Sequence, residues 1–248
     1  MKMKKTVWVL VLFLGTTLLM MGCADDAEES RASPGENESA EITEAAEKAS
    51  ETETTVVKED PKGEESAAED PEEPDLTGIK AAFLIASGFH DTETTNPLAY
   101  LKRHGAECIL VGPELGEVSA YNSNTTLDIE KTINDTEISE YDLLVIPGGN
   151  SPRVLNLNEE ALRLVQDFMK TEKPVATLCR GPYLLAGAGV LEGRTLTAVS
   201  FIEKDIVDAG GVFVDEAVVV DGNLITSREP GDLPVFNRAI IEVLTPKQ

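Results

Sequence analysis

The chain has 248 residues, with 45 Asp and Glu against 21 Lys and Arg, a formal net charge of −24. No basic patch stands out from that excess, so nucleic acid held through its phosphates is excluded as a partner. No zinc-ligand spacing, phosphate-binding loop or dinucleotide fingerprint occurs, so the sequence assigns no cofactor and no metal.

Lys2, Lys4 and Lys5 precede an apolar run from Val7 to Met21, interrupted at Gly15-Thr16-Thr17 and stopped at Gly22-Cys23. The run is shorter than the roughly 20 residues that cross a bilayer, and its pattern is that of a secretory signal. Its end resembles bacterial lipoprotein signal peptides, with Met20 where leucine is usual. The resemblance implies that residues 1–22 are removed and that Cys23 is acylated, anchoring the chain to a membrane on its extracytoplasmic face. From Ala24 to Asp75 there are twenty Asp and Glu against four Lys and Arg, and almost no bulky apolar residue. Such a segment cannot bury a core, so residues 23–76 are expected to be an acidic, disordered tether.

Residues 77–248 carry regular apolar periodicity and suffice for one well-buried domain. Ile79 to Ala86 suits a central parallel strand covered on both faces. A helix follows, ending at His104-Gly105, and the local punctuation starts it at Asn96-Pro97. Cys108 to Val111 reads as a strand, the stretch to Glu140 as turns, and Asp142 to Ile146 as a strand. Asn158 caps a helix whose apolar stripe is Ala161, Leu162, Val165, Phe168 and Met169. Val175 to Leu178 is a strand, Gly181 to Ala188 a helix, Thr195 to Ala198 a strand and Phe201 to Ala209 a helix. Val212 to Val220 reads as a strand that turns at Asp221-Gly222 into Leu224 to Thr226, and Asp232 to Leu244 is the closing helix. Alternation of strand and helix predicts an α/β three-layer sandwich with a mainly parallel sheet.

Chemistry concentrates at two strand ends. Pro174-Val-Ala-Thr-Leu-Cys179-Arg-Gly-Pro182 is an apolar strand that breaks into a helix start with a thiol at the break, the setting of a nucleophile elbow. A helix N-terminus and the adjacent Arg180 are expected to lower the pKa of Cys179. Leu143-Leu-Val-Ile146 ends in Pro147-Gly148-Gly149-Asn150, where glycines let backbone N–H groups approach a reacting atom. Cys108 reads as core, and a disulfide between it and Cys179 remains an open alternative. Ligands of parallel α/β sheets bind at the carboxyl ends of strands, which is where both features lie.

Gly88-Phe-His-Asp-Thr-Glu93, Val145-Ile-Pro-Gly-Gly-Asn150, Thr177-Leu-Cys-Arg-Gly-Pro182 and Thr226-Ser-Arg-Glu-Pro-Gly-Asp-Leu-Pro234 together resemble the ThiJ/PfpI superfamily. The likeness spans residues 79–245 and implies a class I glutamine amidotransferase-like, flavodoxin-like fold. It implies that Cys179 is the nucleophile, that Glu93 is the acid beside it and therefore lies on a helix starting before it, and that Gly148, Gly149 and the Arg180 amide form an oxyanion-binding backbone. A carboxyl against a thiolate requires a largely protonated Glu93. Three departures stand out: Arg180 occupies the place of the histidine that follows the cysteine in the PfpI-type peptidases, Arg153 that of their borrowed acid, and Val199 the downstream position where the deglycase branch carries histidine. Arginine cannot serve as a general base, so general peptidase activity is not expected. His90, in the loop carrying Glu93, is the candidate substitute base, and Arg180 and Arg153 are candidate anion-binding residues. The reading is a glyoxalase- or deglycase-like protein acting on small reactive carbonyls or amides. The alternative is a redox-sensing, chaperone-like or binding module using the same cysteine. By the same resemblance, the protein is expected to be a homodimer.

Overall fold

Uninterrupted apolar runs become interior strands here because both faces of the sheet are covered, so no residue of the run meets water. The computed structural model describes residues 74–245. The expectations for the signal peptide, for acylation of Cys23 and for most of the tether lie outside the described residues. Packing begins at Leu76, which is fully buried and whose N–H donates to the His104 carbonyl.

In chain order the strands are β1 (Lys80–Leu84), β2 (Glu107–Gly112), β3 (Gly116–Ser119), β4 (Thr126–Ile129), β5 (Lys131–Thr132), β6 (Leu143–Ile146), β7 (Val175–Leu178), β8 (Thr195–Leu196), β9 (Val212–Phe213), β10 (Val218–Asp221) and β11 (Leu224–Ser227). The helices are α1 (Asp91–Arg103), α2 (Ser151–Leu155), α3 (Glu159–Met169), α4 (Pro182–Gly187), α5 (Glu203–Asp208) and α6 (Leu233–Leu244). Seven strands form one sheet in the order β10-β11-β7-β6-β1-β2-β5, parallel except for the β10–β11 hairpin.

Side chains alternate across a strand, and the alternation sorts the core into two layers. Ala82, Leu84, Leu144, Ile146 and Val175 face Leu164 and Phe168 of α3 and Leu184 and Leu185 of α4. Ala81, Phe83, Leu143, Val145 and Ala176 face Leu101 of α1 and Phe236 and Ile240 of α6. This is the three-layer sandwich the alternation of elements predicts. Chain order reverses at β1, which has β2 on one side and β6 on the other, and the crevice beyond their carboxyl ends is where such sheets bind ligands.

Several local expectations are corrected. Helix α1 begins at Asp91 and Pro97 lies inside it, so the helix start at Asn96-Pro97 is wrong and the start implied by the family resemblance is right. Proline is costly there because it removes the N–H that would pair with the Glu93 carbonyl. The stretch read as turns before Glu140 contains the β3–β4 hairpin and β5. The run Val212 to Val220 is two strands, β9 and β10, in different sheets. The hairpin loop is Gly222-Asn223, with Gly222 at φ +59. Asn158 caps α3 as expected, accepting from the Ala161 N–H at 2.8 Å.

Candidate active site

Strand β7 ends at Leu178, and the next residue, Cys179, has φ +58. It is the only non-glycine residue in the left-handed region among the described residues. That conformation costs an L-residue roughly 1–2 kcal/mol and persists only where neighbours fix it. Here the Cys179 N–H donates to the Ser227 carbonyl at 3.0 Å, and the Cys179 carbonyl accepts from the Val199 N–H at 3.2 Å. Gly181 completes the elbow. A Cβ at that position would meet the Ile146 carbonyl oxygen at 2.5 Å, so the turn into α4 closes only around a glycine.

Glu93 arrives from the other side of the crevice on the first turn of α1. It is fully buried, and neither carboxyl oxygen has a well-aligned hydrogen-bond partner. Burial pushes its pKa up from 4.5 to about 7, against the lowering effects of the Cys179 thiol, the Gly148 backbone and the Arg180 charge. Gly148 is the space through which acid and thiol meet. A Cβ there would collide with Glu93 Oε2 and stand 2.7 Å from the Cys179 Cβ and 3.1 Å from the Arg180 N.

The expectation of a low-pKa thiol is reversed. Burial first, and then the Glu93 charge, push the Cys179 pKa up to about 12, while the Gly149 and Arg180 backbone groups lower it only in part. The Arg180 guanidinium does not serve the thiol. Its Nη1 donates to Asn150 Oδ1 at 2.6 Å, and it lies over the Phe201 ring, 4.7 Å from the centroid. Its charge acts on Glu93 instead. Of the three groups expected to form the oxyanion-binding backbone, Gly149 and Arg180 act at the sulfur, while Gly148 acts on Glu93. Cys108 is buried and free, with its own pKa raised to about 12 by burial, so the described domain has no disulfide.

His90 stands at the N-terminal boundary of α1 without a capping hydrogen bond from its side chain, and its Nε2 is 3.8 Å from Glu93 Oε1. Burial lowers its pKa, which favours the neutral ring at physiological pH. Its surroundings come from the β3–β4 hairpin, a region the sequence reading leaves as turns. Asn122 Nδ2 is 3.3 Å from Nε2, and the Tyr121 ring packs edge-on at 5.6 Å. An amide NH₂ only donates, so Nε2 is the acceptor and the proton sits on Nδ1, 3.4 Å from Thr92 Oγ1. Arg153 is exposed on α2 and lines a cavity of about 290 Å³ with Arg180, Tyr183, Phe201, Ile202 and Asp205. Among the described residues no cluster of His, Cys, Asp and Glu has the arrangement of a metal site.

A model of the DJ-1/PfpI family matches residues 79–243. The chain is 40% identical over 167 residues to protein/nucleic acid deglycase 2 of Escherichia coli (strain K12), covering 66% of this chain and 97% of that protein. It is 37% identical over 166 residues to deglycase PfpI of Pyrococcus furiosus, covering 67% of this chain and 99% of that one. Among solved structures, a two-domain protein from Anabaena variabilis with DJ-1/ThiJ/PfpI-like and ferritin-like domains aligns with a TM-score of 0.66 at 39% identity. That alignment covers 67% of this chain and 48% of the other.

A buried carboxyl raised to about 7 ties stability to pH. Below pH 4.5 Glu93 is protonated folded or unfolded, and its full contribution is present. Between there and about pH 7 only the unfolded chain gives up the proton, and the contribution is lost as pH rises through that window. The loss is about 3 kcal/mol. In urea denaturation at pH 5 and pH 8, Glu93→Gln is expected to remove most of this fall, and parallel pH dependences for variant and parent would contradict the assignment.

Proposed function

Because the chain belongs to the DJ-1/PfpI family, we propose that it is a deglycase-like enzyme of small reactive carbonyl compounds in which Cys179 is the nucleophile. The observation that carries this is the buried pair of Cys179 and Glu93, with two backbone amides at the sulfur and no room for a second side chain between them. A thiol raised to about 12 holds its proton at neutral pH, so attack needs a base within reach, and a carboxyl raised to about 7 is available in both forms there. As sulfur bonds to the carbonyl carbon, the thiol proton passes to the Glu93 carboxylate and the carbonyl π pair moves onto oxygen. The Gly149 and Arg180 N–H groups hold that oxyanion. Glu93 then returns the proton to it, leaving a neutral hemithioacetal with Glu93 ionised as before. For a 2-oxoaldehyde, Glu93 takes the C–H proton of that adduct and returns it to the neighbouring carbon through an enediol, giving a thioester that water hydrolyses to a 2-hydroxy acid and the free thiol. His90 stands beside the pair without bonding to it, its Nε2 3.8 Å from Glu93 Oε1.

Relatives from Thermococcus kodakarensis, Escherichia coli and Pyrococcus furiosus, at 36–40% identity, are named deglycases, which supports the carbonyl class for this chain. A redox reading rests on the same pair, because a protonated Glu93 without another partner would donate to the oxygen of an oxidised Cys179. The purified protein is expected to consume methylglyoxal, and Cys179→Ser to lose that activity by at least a hundredfold. No turnover of any aldehyde, together with peroxide-dependent oxidation of Cys179, would favour the redox reading instead.

We further propose that the protein acts at a membrane surface outside the cytoplasm. The support is the sequence pattern of Lys2, Lys4 and Lys5, the apolar run to Met21 and Gly22-Cys23. A diacylated Cys23 would anchor the domain through the acidic segment. Mass spectrometry of the membrane-extracted protein is expected to show an acylated Cys23 at the N-terminus. An intact Met1 would contradict it.

A further inference from the structure

Arg163, Arg194 and Arg228 each form an ion pair with a carboxylate. The other four of the seven described arginines, Arg103, Arg153, Arg180 and Arg238, have no carboxylate within 4.0 Å among the described residues, although the chain carries a large acidic excess. Arg153 and Arg180 are brought together in one cavity of about 290 Å³. Asp205 lines it too, so two guanidinium groups face one carboxylate. Arg180 is held flat by the Phe201 ring and spends one N–H on Asn150. A guanidinium has five donors in a fixed fork, so most of them remain free for an oxyanion.

We infer that this cavity selects carbonyl substrates that carry an oxyanion, phosphate or carboxylate, a few bonds from the reacting carbon. The inference rests on the carbonyl reading above and adds the substrate's charge and where that charge lies. Arg180 sets the spacing, since its backbone N–H acts at the Cys179 sulfur while its guanidinium stands in the cavity. A carbonyl at the thiol and an anion in the cavity are thus one arginine side chain apart. Glu93 sharpens the choice. Its carboxylate lies against the thiol and repels an anion attached directly to the carbonyl, while an anion carried into the cavity meets the two guanidiniums instead. Phe201, 60% exposed, and Tyr183 give the intervening carbons an apolar wall.

The test has one arm that needs no catalysis and one that does. Binding of inorganic phosphate to the mature chain carrying Cys179→Ser is measured by calorimetry, alone and with Arg153→Gln or Arg180→Gln added. Each added substitution is expected to weaken binding roughly tenfold, as for loss of a charge-assisted contact. With Cys179 intact, kcat/KM for hydroxypyruvaldehyde phosphate, a 2-oxoaldehyde that carries a phosphate, is expected to exceed that for hydroxypyruvaldehyde, and Arg153→Gln to lower the ratio roughly tenfold. 4,5-Dioxovalerate against 2-oxopentanal reads the same ratio for a carboxylate, and the two ratios together show which anion is preferred. Arginine-dependent phosphate binding with no aldehyde turned over would leave the anion site standing and sink the carbonyl reading. Equal turnover of charged and neutral aldehydes, or phosphate binding that ignores both arginines, would overturn the anion site while leaving the carbonyl reading intact.

Discussion

Everything at this site follows from burying a carboxyl group and a thiol together with a glycine where a side chain would stand. Water cannot reach Glu93, and no well-placed donor replaces it. Burial makes each group resist ionising and the Glu93 charge raises the thiol further, so both pKa values move up although the thiol's contact lowers that of Glu93. The consequence is a pair in which the thiol keeps its proton through neutral pH while the carboxyl exchanges its own. Chemistry at the sulfur must then proceed by moving a proton between the two, rather than from a preformed thiolate of the kind a helix N-terminus with a nearby cation would create.

The sheet makes the pair possible by bringing three strand ends to one crevice. β1 leads into the loop that starts α1 and carries Glu93, β6 into Gly148 and Gly149, and β7 into Cys179. Isolated bridges from Phe89 to Gly149 and to Ala120 tie the first of these loops to the second and to the β3–β4 hairpin. Gly149, at φ +85, would drive a Cβ to within 2.5 Å of the His90 N, so the two loops touch only because that residue is glycine. The strain at Cys179 is sustained by this surrounding net of backbone hydrogen bonds.

Much of the architecture was legible from apolar runs and their spacing, because interior parallel strands and a capped amphipathic helix such as α3 have strong, local signatures. The start of α1 was not, since Pro97 is a start signal in isolation and the helix continues through it only because its buried face, including Thr94 and Leu101, packs into the core. The β3–β4 hairpin was illegible because its residues are mostly exposed and its strands are four residues each, too short for the alternation of Leu127 and Ile129 to stand out. At the site, residue identities and motifs located Cys179, Glu93 and the Gly148-Gly149 pair. The direction of the thiol's pKa shift was out of reach, because it depends on how deeply sulfur and carboxyl are buried and on where the Arg180 guanidinium turns. Asn150 and Phe201, which fix that guanidinium, lie 30 residues before Arg180 and 21 after it, and nothing in the sequence pairs them with it.

The central claim is that near neutral pH the sulfur keeps its proton while Glu93 exchanges its own. Infrared difference spectroscopy across a pH titration reads both groups in the same sample. The account predicts a protonated-carboxyl band that disappears with a midpoint near pH 7 and is absent in Glu93→Gln, and a Cys179 S–H band that persists well above that pH. A Cys179 thiolate already formed at pH 7, or a Glu93 carboxyl that titrates in the ordinary range near 4.5, would contradict it.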